Sequence, residues 1–320
     1  MPFYQLYFYN NTKFRAEIVT LFITVLFLGC KIHTHADTDP KYIPKIHLNV
    51  NEQYYYNISS EINTKLELNE KEVDNIKQST IGLLYETLKD SADQFLIKIT
   101  YDSLHILTKK GDVQTEMDAA NVSEFSNPLE KILGIIKGNS LFVTLTKKGQ
   151  IVSVNGYNEL IDKIVEGVKF NNEDEKKQVQ LQLSNLLGEK FLQTDFQDGF
   201  GLLPNSAVFV GDSWEKKETQ STEFKLNSNT TYTLESVKDS IVEIDASTEM
   251  ESTDSSFEIM GTNVDADLKG EQDGIFDIDL RTGLLIYQKT NASIKGNIKL
   301  LDREVPITIK IKKEISSKKL

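Results

Sequence analysis

The chain has 320 residues, with 36 Lys and Arg against 48 Asp and Glu and a formal charge of −12. That balance excludes a nucleic-acid groove, which needs a basic footprint for phosphates. One cysteine and four histidines exclude an intrachain disulfide framework, a zinc ribbon and an iron–sulfur site, and leave little for a metallohydrolase.

Ile18 to Gly29 is an uncharged, mostly apolar run preceded by Lys13 and Arg15. As a helix it spans about 18 Å, short of the ~30 Å hydrocarbon core of a bilayer. A basic flank, a short apolar segment and a small residue at its end read as a signal peptide over residues 1–29. Leu26-Phe27-Leu28-Gly29-Cys30 resembles the lipobox of bacterial lipoproteins. The resemblance implies that the Cys30 thiol carries a diacylglyceryl group, that cleavage follows Gly29, and that the new amine is acylated. The membrane is then a partner through that anchor. The alternative is an ordinary signal peptide followed by an unmodified cysteine. Lys31 stands where an inner-membrane retention signal would have Asp, so the expected location is the outer membrane, facing the periplasm. Residues 30–44 read as a tether, since Pro40 and Pro44 disfavour helix. His33, His35, Asp37 and Asp39 fall in that tether and read as solvated linker rather than a metal site.

Residues 45–320 read as a single α+β body, with strands over about 46–119, helices over about 127–190 and strands again over about 213–313. Phe95, Ile97, Ile99 and Tyr101 alternate onto one face of a strand. Lys110-Gly111-Asp112 and Lys148-Gly149-Gln150 place glycine where a hairpin needs positive φ. Asn127-Pro128 with Glu130 opens a helix carrying Leu129, Ile132, Leu133 and Ile136. Leu160, Ile161, Ile164, Val165 and Val168 form a second apolar stripe, and a third helix is expected from about Glu173 to Leu187. Strand patterning resumes at Trp214. The order predicts a curved antiparallel β-sheet, half-barrel-like, around a central helical insert.

Catalytic constellations are missing from this pattern: there is no Gly-x-Ser-x-Gly elbow, no His-Glu-x-x-His helix and no phosphate loop. His105 falls in a strand and reads as a structural histidine. Asp265 to Gly270 begins like a calcium loop, but Lys269 takes a ligand position and Phe276 stands where a bidentate Glu is required. No enzyme activity, cofactor or metal is expected.

Val210-Gly211-Asp212-Ser213-Trp214, after Pro204 and an apolar run, resembles a Bacteroidota lipoprotein family of unknown function. Lys148 to Gly156 and the Asp279-to-Gly283 hairpin are similar to other parts of that pattern. More distantly, the strand–helix–strand plan resembles the half-barrel of periplasmic lipoprotein carriers, which implies an acyl chain held between sheet and helices. Asp195 to Pro204 sets Phe196, Phe200, Leu202 and Leu203 beside Gly199 and Gly201. These four large residues line an apolar small molecule or lipid if the segment is a glycine-hinged lid; otherwise they plug the core. Two functions follow: an envelope lipoprotein that binds an apolar ligand, or a structural or interaction subunit of an outer-membrane assembly with an envelope protein as partner.

Overall fold

The computed structural model describes residues 41–42, 45–68, 71–123, 126, 128–168, 173, 176, 177, 180, 202, 204, 206–221, 225–252, 256–259, 262–300 and 303–320. Cys30 and most of the Asp195–Pro204 segment lie outside them. Of the third expected helix only positions 173, 176, 177 and 180 are described, all helical. Residues 40–320 form one compact unit.

Two short strands, β1 (Lys41–Tyr42) and β8 (Val208–Phe209), pair with each other. All remaining strands form one antiparallel sheet. In chain order they are β2 (Gln53–Leu68), β3 (Lys71–Asp90), β4 (Gln94–Lys110), β5 (Val113–Asp118), β6 (Ser140–Thr146) and β7 (Ile151–Asn155). Then come β9 (Ser213–Ser221), β10 (Lys225–Lys238), β11 (Ile241–Ser252), β12 (Ser256–Ile259), β13 (Thr262–Asp279), β14 (Leu285–Leu300) and β15 (Arg303–Lys319). Side by side the order is β7-β6-β4-β3-β2-β15-β14-β13-β11-β10-β9, with β5 on β4 and β12 on β13. Neighbours are mostly joined by hairpins, but the last strand β15 closes onto the first long one, β2, with Ile311 opposite Ile62. The two end strands do not meet, so the sheet is curved but not closed into a barrel. Helices α1 (Pro128–Ile136) and α2 (Tyr157–Gly167) are inserted between β5 and β6 and after β7.

Alternation builds the core. Along β11, Val242, Ile244, Ala246, Thr248 and Met250 are buried while every intervening residue is exposed, the mark of a strand with one solvated face. Phe95, Ile97 and Ile99 are buried in alternation on β4, with half-buried residues between them. There the pattern breaks at a bulge where Gly82 and Leu83 of β3 oppose Ser103 and Tyr101, and burial resumes one residue out of step at Leu104.

The inward side chains fall into two clusters. The lower one joins Phe95, Ile99, Leu141 and Ile244 to Leu160, Ile161 and Ile164 of α2 and Leu133 and Ile136 of α1. The upper one joins Leu226, Met250, Leu268, Ile294, Ile298, Ile307 and Ile309, from five neighbouring strands. Between them runs an oblique polar belt. Register aligns Thr230, Thr248 and Gln272 in one row, and Thr290, Lys313, Ser60 and Ser79 in the next. Four of its hydroxyls pair off: Thr230 Oγ1 lies 2.9 Å from Thr248 Oγ1, and Ser60 Oγ 2.8 Å from Ser79 Oγ.

The Val-Gly-Asp-Ser-Trp stretch turns the chain into the sheet. Gly211 has φ 91, and Asp212 Oδ2 accepts the Phe209 N–H at 2.9 Å, a side-chain substitute for a backbone turn bond. Trp214 then stacks on Tyr232 with ring centroids 5.6 Å apart, and Tyr232 meets Phe276 edge-on at 6.2 Å. In the register Tyr232 stands opposite Ala246 and Ala246 opposite Gly274. Phe276 leans over Gly274, where a Cβ would sit 3.0 Å from its ring, so small residues leave room for the rings to meet.

Candidate functional site

The face opposite the core is hydrophilic. Three open concavities of about 870, 460 and 310 Å³ lie on it. The first spans β9 to β14 around Asn229, Glu249, Glu271 and Ser293. The second lies around Thr231, Asp245, Asp273 and Lys289, and the third continues over Glu61, Gln78 and Lys312. Lys289 and Asn291 line both the second and the third.

Charge on this face is sorted by strand. On β11 and β13 the outward positions carry Glu243, Asp245, Glu249, Glu251, Asp265, Asp267, Glu271, Asp273 and Asp277, with Lys269 the one cation among the described residues. Outward positions of β14 carry Lys289, Lys295 and Lys299 and no carboxylate, and β15 adds Lys310, Lys312 and Lys318 together with Glu304 and Glu314, so these two strands are basic in balance. Register puts like charges opposite each other, Glu243 against Asp277 and Glu249 against Glu271. Partial burial and then the Glu243 charge push the Asp277 carboxyl above its ordinary value. Lys269 pairs with Glu251 at 3.1 Å and Lys312 with Glu61 at 3.3 Å. Hydrogen bonds from Gln78 and Lys312 hold Glu61 below the usual carboxylate range.

A second polar cluster ties off the lower end. Glu52 accepts the Asn49 amide at 2.9 Å, the Asn49 backbone N–H at 3.2 Å, the Tyr54 hydroxyl at 3.1 Å and the Lys319 ammonium. Burial alone would raise its pKa; these donors outweigh it and bring the group from 4.5 to about 2. Nearby, Asp279 is gripped by Arg281 through Nη2 at 2.8 Å and Nε at 3.2 Å. Gly283 follows at φ 70, where a Cβ would sit 2.2 Å from the Lys45 carbonyl oxygen. Both clusters read as structural clasps: one fastens the C-terminal strand, the other the turn into β14.

Of the residues singled out in the sequence, Cys30, Phe196, Phe200 and Leu203 lie outside the described residues. Leu202 is 4% exposed and belongs to the lower cluster. His105 of β4 bonds Glu116 of β5 at 2.8 Å, which joins two strands. Asp265 to Gly270 is part of strand β13. Among the described residues no three His, Cys, Asp or Glu are grouped to hold a metal ion. The segregated charge was the feature that residue-by-residue reading missed. Its signal was present as period-two acids in Asp265-x-Asp267-x-Lys269-x-Glu271-x-Asp273.

Residues 92–285, more than half of the chain, match a family described as a family of unknown function (DUF6263), and the chain belongs to it. No curated protein matches the sequence. Among solved structures, an outer membrane channel from Pseudomonas putida F1 aligns at 6% identity and a TM-score of 0.20, over 85% of this chain and 97% of that one. Salmonella typhi OmpF in complex with daunomycin aligns at 8% identity and 0.20, over 86% and 100%. Pseudomonas aeruginosa OccK7 (OpdD) aligns at 8% and 0.21, over 85% and 100%. Likeness at these scores carries no argument about fold or function.

Proposed function

We propose that this is a non-catalytic lipoprotein of the cell envelope, held by acylated Cys30 at the outer membrane, that serves as a structural or interaction subunit. The observation that carries the reading is the contrast between the two faces of the sheet. On the helix side, Leu160, Ile164, Leu141 and Leu145 are at most 2% exposed, so side chains fill the space between the sheet and the two described helices around them. A carrier of acyl chains needs that space empty, typically 300–1,000 Å³ lined by apolar groups. Among the described residues the concavities lie on the hydrophilic face, which suits a polar partner. The anchor rests on the lipobox-like ending at Cys30, and several acyl chains there would make attachment stable, where one alone binds marginally.

The test is Cys30→Ser followed by fractionation and native mass spectrometry. The variant is expected to lose lipid labelling, leave the membrane fraction and carry no apolar passenger. Retention with membranes would overturn the anchor. A stoichiometric co-purifying lipid would overturn the interaction reading in favour of an apolar site closed by Phe196, Phe200, Leu202 and Leu203.

A further inference from the structure

The hydrophilic face is complementary to itself. Its acidic half, on β11 and β13, adjoins its basic half, on β14 and β15, and the boundary runs parallel to the strands. A two-fold axis lying along that boundary turns a second copy so that each acidic half covers a basic half. We propose that two copies of this chain associate face to face in this way, an inference that rests on the interaction reading above and names its partner.

Register identifies the contacts. Glu249, Glu271, Ser293 and Lys310 lie in one row across β11, β13, β14 and β15. The axis passes between Glu271 and Ser293, so Glu249 faces the partner's Lys310 twice over and Glu271 faces the partner's Ser293. One row away Lys269 faces the partner's Lys295, but Lys269 is already neutralised by Glu251 at 3.1 Å. Two rows the other way Asp245 faces the partner's Glu314, an unfavourable pair that lies off the central rows. Twist splays two facing sheets away from their crossing point, so the central rows dominate the contact. In the free chain Glu249 and Glu271 stand directly opposite on neighbouring strands, an arrangement that costs stability. The partner's Lys310 relieves that repulsion. Because the concavities lie under the contact, the interface is wet, and bridging water is no obstacle to specificity there.

The test uses the full-length Cys30→Ser protein in sedimentation velocity, so that lipid plays no part in assembly. A dimer is expected at about 0.05 M salt, with association at least about tenfold weaker at about 0.5 M as screening shortens to a few ångströms. Glu249→Lys alone and Lys310→Glu alone are each expected to be monomeric. A variant carrying both reversals restores opposite charge across the axis and is expected to dimerise again. A monomer at all salts, or a dimer indifferent to both single reversals, would overturn the proposal. A photo-crosslinker at Ser293 separates it from the broader reading. Adducts of twice the chain mass support the dimer, whereas adducts only to a different protein overturn it and leave the interaction reading standing.

Discussion

Single side chains at the lower end hold more than their own strands. Trp214 closes the β9 edge by stacking on Tyr232, which in turn meets Phe276. Removing its ring should therefore loosen three strands. Trp214→Ala is expected to cost about 3 kcal/mol or more, and Trp214→Phe, which keeps a ring at the stack, less than about 1.5 kcal/mol. Urea unfolding midpoints check both; equal losses would show that the stack is not what matters. Glu52 gives a pH dependence of definite sign. Its folded pKa, about 2, lies below its ordinary 4.5, so the folded state binds the proton less well than the unfolded chain. The stabilisation from its donors is complete above about pH 4.5 and is lost as pH falls towards 2. Glu52→Gln should flatten the fall in urea midpoint across that window, and an unchanged slope would reject the clasp. Asp279, held low chiefly by its Arg281 hydrogen bond, contributes in the same direction and remains in the variant.

The elements carry the polar belt, and the belt makes a prediction that no single residue does. Thr248 is 2% exposed, and its hydroxyl is satisfied by Thr230 across the β10–β11 pair. Replacing Thr248 alone by Val leaves the Thr230 hydroxyl without that partner in a partly buried site, at a cost of about 1–3 kcal/mol. Replacing both by Val removes the orphan along with the bond, so the double variant should lie within about 0.5 kcal/mol of wild type, or above it. A double-mutant cycle by chemical denaturation reads this directly. Additive losses would mean that each hydroxyl is satisfied elsewhere. The strands that carry the belt were legible as strands because alternation is local. Val242 to Met250 declares its buried face within ten residues, and Gly111 and Gly149 declare their turns by the positive φ they adopt. The belt was not legible. Thr248 and Thr290 join the belt through pairings tens of residues apart, and Ser60 only through Lys313 of β15, about 250 residues away in sequence; no local propensity encodes those pairings.

At the scale of the molecule the same limit explains what the sequence withheld. Helices inserted into a strand-rich body follow from apolar spacing, and the structure has them at Pro128–Ile136 and Tyr157–Gly167. That β15 returns to β2 depends on a contact such as Ile62 with Ile311 that periodicity cannot specify, and which acid meets which lysine depends on the register of β11, β13, β14 and β15. Until the register is known, Glu249, Glu271 and Lys310 are ordinary members of an acidic chain. The long strands also cross two cores, and this division has a thermodynamic consequence. Among the described residues the buried apolar side chains on the two sides of these rows fall into separate clusters, while backbone ladders run through both. Stability then need not be uniform along a strand, and opening can be local to one core. Leu268, fully buried in the upper cluster, tests this. Leu268→Ala should cost about 2–5 kcal/mol of upper-core packing. In native-state hydrogen exchange the lost protection should fall on amides near 266–268, 294–298 and 305–309. Amides of β6 and α2, packed in the lower core with Leu141 and Ile164, should keep theirs. A uniform loss of protection across both regions would show one cooperative unit, with the belt coupling the cores instead of separating them.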